Sequence, residues 1–114
     1  SMSPTIVLKD DKPVLVIGSP GGSRIIGFTA QTIIAHLDWG MDIQAAIDMP
    51  RMVNRWGKYE LEATGTTEKF QAPLESMGYK VEIKPINSGL HGIAIGDTLT
   101  GGADPRREGI AIGE

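Results

Sequence analysis

The segment Gly18-Ser19-Pro20-Gly21-Gly22-Ser23 sets the tightest limit on the fold, because it separates two stretches of incompatible periodicity. Before it, Val14-Leu15-Val16-Ile17 is an unbroken apolar run, mostly β-branched, that reads as a strand. After it, Arg24 to Trp39 carries Ile26, Ala30, Ile33, Ile34 and Leu37 at helical spacing and is closed by Gly40. A chain that leaves a strand and enters a helix within so short a span needs residues that tolerate unusual φ angles, and glycine is the residue that does so at least steric cost. Ser23 is placed to cap the helix.

The surrounding pattern extends this strand-turn-helix core. Thr5-Ile6-Val7-Leu8 is a second apolar run, and the polar stretch Lys9 to Pro13 between the two runs has hairpin-loop character. Four successive apolar positions predict that the second strand is central and covered on both faces. Asp42 is an N-cap for a short helix through Ile43, Ala46 and Ile47, which Pro50 ends. Two short strands are expected over 51–56 and 58–63, the second with Glu60 and Glu62 facing water opposite Tyr59, Leu61 and Ala63. A third helix, capped by Thr66 or Thr67 and regular only from about Gln71 because of Pro73, is followed by a strand over 80–84. A terminal hairpin runs through Ile93 and Ile95, turns at Asp97-Thr98 and returns from Leu99 to Ala103. Strands and helices mix without a βαβ repeat, so the class is α+β with a largely antiparallel sheet and packed helices. A single domain over residues 1–114 is expected.

Composition excludes several classes. A net charge of -3 offers no basic face for nucleic acid. No apolar run approaches the roughly 20 residues that span a bilayer, and the start lacks a basic n-region and an h-region, so neither anchor nor signal is expected in this chain. With no cysteine and no His-x-x-x-His spacing, a metal site is disfavoured. The glycine turn matches neither the phosphate-loop nor the dinucleotide pattern.

Chemistry concentrates at that turn. A glycine-rich junction at a helix start leaves main-chain N–H groups suited to an anion or a developing oxyanion; it serves equally well as a tight turn with glycines for packing. His36 reads as a polar-face helix residue, and His91, flanked by glycines, is a cleft candidate left without a role. Asp104-Pro105-Arg106-Arg107-Glu108 crowds opposite charges into one turn and is read as structural. Trp39 and Trp56 read as anchors of the core or of a subunit contact rather than as ligand-stacking residues.

Three blocks taken together carry a family resemblance: Ser1-Met2-Ser3-Pro4-Thr5-Ile6, Gly18-Ser19-Pro20-Gly21-Gly22-Ser23-Arg24-Ile25-Ile26, and Gly101-Gly102-Ala103-Asp104-Pro105-Arg106-Arg107. In order and approximate spacing they are similar to the γ-glutamyltranspeptidase family, over essentially the whole chain. The resemblance implies part of an N-terminal-nucleophile hydrolase αββα sandwich, from a precursor that cleaves itself into large and small subunits. It implies a threonine nucleophile at the start of the small subunit, acting on glutathione or other γ-glutamyl compounds with water, amino acids or peptides as acceptors, and no metal or organic cofactor. Carried over by position, Gly21 and Gly22 are the paired glycines whose main-chain N–H groups form the oxyanion hole. Ser1 matches the second of two serines that hold the donor's α-carboxylate. The chain then corresponds to the C-terminal part of the small subunit and lacks the nucleophilic threonine. It is expected to be inactive without the rest of the precursor, to self-associate through surfaces the precursor would cover, and to come from a periplasmic or extracellular protein. Two rivals stand beside this reading: a noncatalytic anion-binding or assembly module, and a related acylase acting on another amide.

Overall fold

The computed structural model describes residues 2–113, and the chain gathers into two compact units, one built from 1–49 with 88–114 and the other from 50–87. The class is α+β with a largely antiparallel sheet, as expected.

The first unit holds strands β1 (Thr5–Lys9), β2 (Lys12–Gly18), β6 (His91–Ile95) and β7 (Leu99–Ala103), in the order β1-β2-β6-β7 with every neighbour antiparallel. Asp10 and Asp11 make the β1–β2 turn with φ of 52° and 63°. Two successive left-handed residues match the twist of a hairpin, and aspartate tolerates that region better than most side chains. The register puts Val7, Leu15, Ile17, Gly92 and Gly102 on one face and Ile6, Val16, Ile93 and Gly101 on the other. The first face is packed: Leu15 and Ile17 are buried, and helices α1 (Ile25–Leu37) and α2 (Ile43–Asp48) lie on it. The second is open, with Ile6, Val16 and Ile93 all exposed. β2 is therefore interior to its sheet as predicted but covered on one face only.

Helix α1 also turns a different side inward from the one its periodicity suggested. The buried stripe is Ile25, Phe28, Thr29, Thr32 and Ala35, whereas Ile26, Ile34 and Leu37 are exposed. Apolar residues occupy more than one side of this helix, so spacing alone does not choose between stripes. The turn before it does: Ile25 and Phe28 sit against Gly21, and that first-turn contact sets the rotation of everything after. Ser23 lies inside a short 3-10 turn, Gly22–Arg24, and no side-chain cap forms there.

Helix α2 starts as the sequence predicts, with the Asp42 carboxylate accepting from the N–H groups of Gln44 and Ala45. It rides low over the sheet because Gly92 and Gly102 present no side chain beneath it; a Cβ at Gly102 would lie 2.8 Å from Ile47 Cδ1. That closeness lets the Gln44 amide accept from the Ala103 N–H and donate to the Ala103 carbonyl, both at 2.9 Å.

In the second unit, β3 (Met52–Asn54) pairs antiparallel with β4 (Lys58–Glu62), and β4 pairs parallel with β5 (Lys80–Lys84). A 3-10 turn (Glu68–Phe70) leads into α3 (Gln71–Ser76), so the regular helix begins at Gln71 as expected from Pro73. Thr67 makes no cap; its hydroxyl donates instead to the Glu62 carbonyl. The expected water-facing glutamates are buried: Glu60 accepts from Arg55 at 3.0 Å and pairs with Lys84 at 3.5 Å, and Glu62 accepts from the Arg51 N–H at 3.0 Å. Paired and hydrogen-bonded carboxylates are the form in which burial is tolerated. Neither tryptophan anchors the core, since Trp39 is exposed and Trp56, at the β3–β4 turn, is 96% exposed. Among the described residues no helix is long and apolar enough to cross a membrane.

Candidate functional site

β2 ends at Gly18 and the chain turns through Ser19 and Pro20 into Gly21, with φ 140° and ψ 17°, and Gly22, with φ 64°. Both angles lie where L side chains rarely go, so the two glycines are required by conformation. Gly21 is constrained by space as well: a Cβ there would sit 3.3 Å from the Phe28 ring. Around this junction lies an open cleft of about 610 Å³, lined by Ser19, Gly21, Gly22, Ile25, Gly89 and His91 together with residues 2–4. The paired glycines thus line this cleft. Ser1 lies outside the described residues.

His91, left without a role by the sequence, opens β6 and lines the cleft, and it is the one titratable side chain among the described lining residues. Its Nδ1 is 3.1 Å from the Gly89 carbonyl, so Nδ1 donates, while the Nε2 edge packs against Gly109. His36 is remote in role: it bonds the Met41 carbonyl at 2.8 Å and ties the end of α1 to the next loop.

Behind the cleft the charged turn at 104–108 is structural, as read from its composition. Asp104 is buried and its carboxylate accepts from the Ser88 hydroxyl, the Leu90 and Arg106 N–H groups, and the Arg106 guanidinium at 3.0 Å. Burial alone would push this carboxyl up; the bonds from Ser88, from the Arg106 and Leu90 main chain and from the Arg106 side chain outweigh it and hold it below the ordinary aspartate value. Arg106 also donates to the carbonyls of Ile47, Asp48 and Met49, satisfying the end of α2 with a cation. Ser88 gave no signal in the sequence, since a lone serine before a glycine reads as loop. Among the described residues no group of three or more His, Asp or Glu gathers as metal ligands.

The γ-glutamyltranspeptidase family model matches residues 1–114. The chain belongs to the γ-glutamyltranspeptidase family. The glutathione hydrolase proenzyme of Bacillus subtilis is 42% identical across 99% of this chain, and the ACY 1 acylase proenzyme of a Pseudomonas strain is 34% identical across 98%. The crystal structure of a mutant γ-glutamyltranspeptidase from Helicobacter pylori superposes on 94% of the chain with a TM-score of 0.88 and 38% identity. The chain spans 20% of the length of the first two and 61% of the third. The proenzymes among these relatives are larger precursors of which this chain matches one part.

Proposed function

We propose that this γ-glutamyltranspeptidase-family chain is the C-terminal part of the small catalytic subunit of a γ-glutamyltransferase and glutathione hydrolase, and that it supplies the oxyanion hole. The observation that carries the reading is the pair of successive left-handed glycines, Gly21 and Gly22, on the rim of the cleft at the junction of β2 and α1. In the proposed reaction a threonine from the preceding part of the precursor attacks the γ-glutamyl carbonyl. The carbonyl π electrons move onto oxygen, and the main-chain N–H groups of Gly21 and Gly22 meet that charge. Collapse breaks the C–N bond, the amine leaves with a proton, and water or an amino-acid or peptide amine then resolves the ester. Ser1 would hold the donor's α-carboxylate. A near-neutral cleft wall suits this division of labour, because apart from Ser1 the groups that recognise the donor's charges lie in other parts of the precursor. The chain alone lacks the nucleophile and is inactive, and its open sheet face is covered in the precursor by the second sheet of an αββα sandwich. The protein works in the periplasm or outside the cell.

The test is release of a chromogenic amine from a γ-glutamyl anilide by the full-length, self-cleaved protein; no release above background overturns the assignment. The acylase relative supports a second reading, in which the same oxyanion hole serves a different amide. Release of amine from an N-acyl amide without a γ-glutamyl group, with none from the γ-glutamyl anilide, would select it.

A further inference from the structure

The Ser19 hydroxyl sits at the centre of the junction and makes two bonds. It donates to the Pro20 carbonyl at 2.6 Å and accepts from the Gly89 N–H at 3.2 Å. The Pro20 carbonyl and the Gly21 N–H belong to the same peptide group, and the chain contains no cis peptide among its described residues. In a trans peptide these two groups point in opposite directions across one rigid plane. Holding the carbonyl therefore fixes the direction of the N–H. Glycine at the next position makes such a hold necessary, because Gly21 lacks the side chain that would otherwise restrict rotation of this plane.

The far end of the tether is itself fixed. Gly89 lies between Ser88 and Leu90, both bonded to the buried Asp104 carboxylate. Gly89 also presses on the turn directly, since a Cβ there would lie 2.7 Å from Pro20 Cγ.

We infer that Ser19 is a positioning residue that clamps the Pro20–Gly21 peptide plane, and with it the Gly21 N–H, by a hydrogen-bond tether anchored through Gly89 on the Asp104 cluster. The inference rests on the reading of Gly21 as an oxyanion donor. A clamped plane presents its N–H at every turnover, whereas a free one spends part of its time rotated away. Loss of the clamp lowers the chemical step and leaves donor binding largely alone, because Ser19 contributes to an interaction that strengthens in the transition state.

The experiment compares Ser19→Ala, Ser19→Thr and Gly89→Ala with the unaltered full-length protein. Kinetics on a γ-glutamyl anilide and hydrogen exchange of peptides covering residues 19–25 are the two readouts. Ser19→Ala is expected to lower kcat by about tenfold, the scale of one lost hydrogen bond, with KM within about twofold. Ser19→Thr, which keeps a hydroxyl, restores most of the rate. Gly89→Ala, which drives a methyl into Pro20 while keeping Ser19, lowers kcat as well. Exchange over 19–25 rises in Ser19→Ala and not in Ser19→Thr. A Ser19→Ala kcat within about twofold of the unaltered value, or a Ser19→Thr variant as slow as Ser19→Ala, overturns the clamp. If the unaltered protein releases no amine at all, the functional reading fails instead. The exchange data then still decide the clamp, and unchanged exchange in Ser19→Ala sinks it.

Discussion

Two turns in this molecule impose the same backbone demand in different surroundings. The junction at Gly21 and Gly22 has φ of 140° and 64°, and the β3–β4 turn at Trp56 and Gly57 has φ of 100° and 98°. The first faces a cleft and is packed from behind at Gly21 by Phe28, Gly22 being open; the second stands in solvent, with nothing within 4 Å of a Cβ built on Gly57. At the hairpin a tryptophan accepts the unfavourable angle, helped by the Asn54 carboxamide oxygen that takes the Trp56 N–H at 2.8 Å. Left-handed backbone alone therefore does not mark a site here. What separates the two turns is crowding against a cavity, and that property depends on residues distant in sequence.

The largest expected effect is on turnover. In the full-length protein Gly21→Ala should lower kcat on a γ-glutamyl anilide by roughly 100- to 1,000-fold, the scale of a lost oxyanion donor. Gly57→Ala should leave kcat unchanged. Equal losses at both positions would erase the distinction between the turns.

Next in size is the support behind each turn. Asp104→Asn removes one charge from a buried, multiply bonded pair and should cost about 3 kcal/mol of stability at neutral pH. The folded carboxyl is held below its ordinary value, so its contribution is present above about pH 4 and fades as pH falls through the folded value. The gap in melting temperature between Asp104→Asn and the unaltered protein should accordingly narrow below about pH 4. A gap that stays constant to lower pH would show that the charge contributes nothing.

Smaller still is the strain at the hairpin. Trp56→Gly relieves the angle at a fully solvated position and should raise stability by up to about 1 kcal/mol, read as a higher melting temperature. A fall would mean that the indole makes a contact the exposure does not suggest. Smallest of all, glutamate added to the isolated 114-residue chain should barely move its melting temperature, because most groups proposed to hold it are elsewhere in the precursor. A large shift would place donor recognition in this chain.

Local signals were legible in proportion to how local their causes are. The hairpin loop within residues 9–13, narrowed to Asp10-Asp11 in the structure, the Asp42 cap, the delayed start of α3 at Gln71 and the terminal hairpin all depend on residues within a few positions, and each lies where the sequence places it. The errors share the opposite character. Glu60 looked solvent-facing because strand alternation says nothing of Arg55 across the hairpin or Lys84 on the parallel neighbour. The inward stripe of α1 differs from the one its spacing suggests because the contact of Gly21 with Phe28 sets it. At the cleft, the paired glycines were visible as a pattern, but the Ser19 tether was not, since its partner Gly89 is 70 residues away. His91 was flagged by its glycine neighbours and found on the cleft, which neighbours alone do not explain.

The bidentate grip of Gln44 on Ala103 has a bearing on how separate copies of the chain would meet. A side-chain amide carries the same donor and acceptor as a peptide, so at this end of β7 a visiting strand finds its berth taken by an impostor. β1, the other border of the sheet, is flanked by exposed Ile6 and Leu8 and carries no comparable guard among its described bonds. Stacking of copies through this sheet should be lopsided, beginning at β1, and a light-scattering mass near two chains would be its first product, because joining two such borders uses up the unguarded one on each copy.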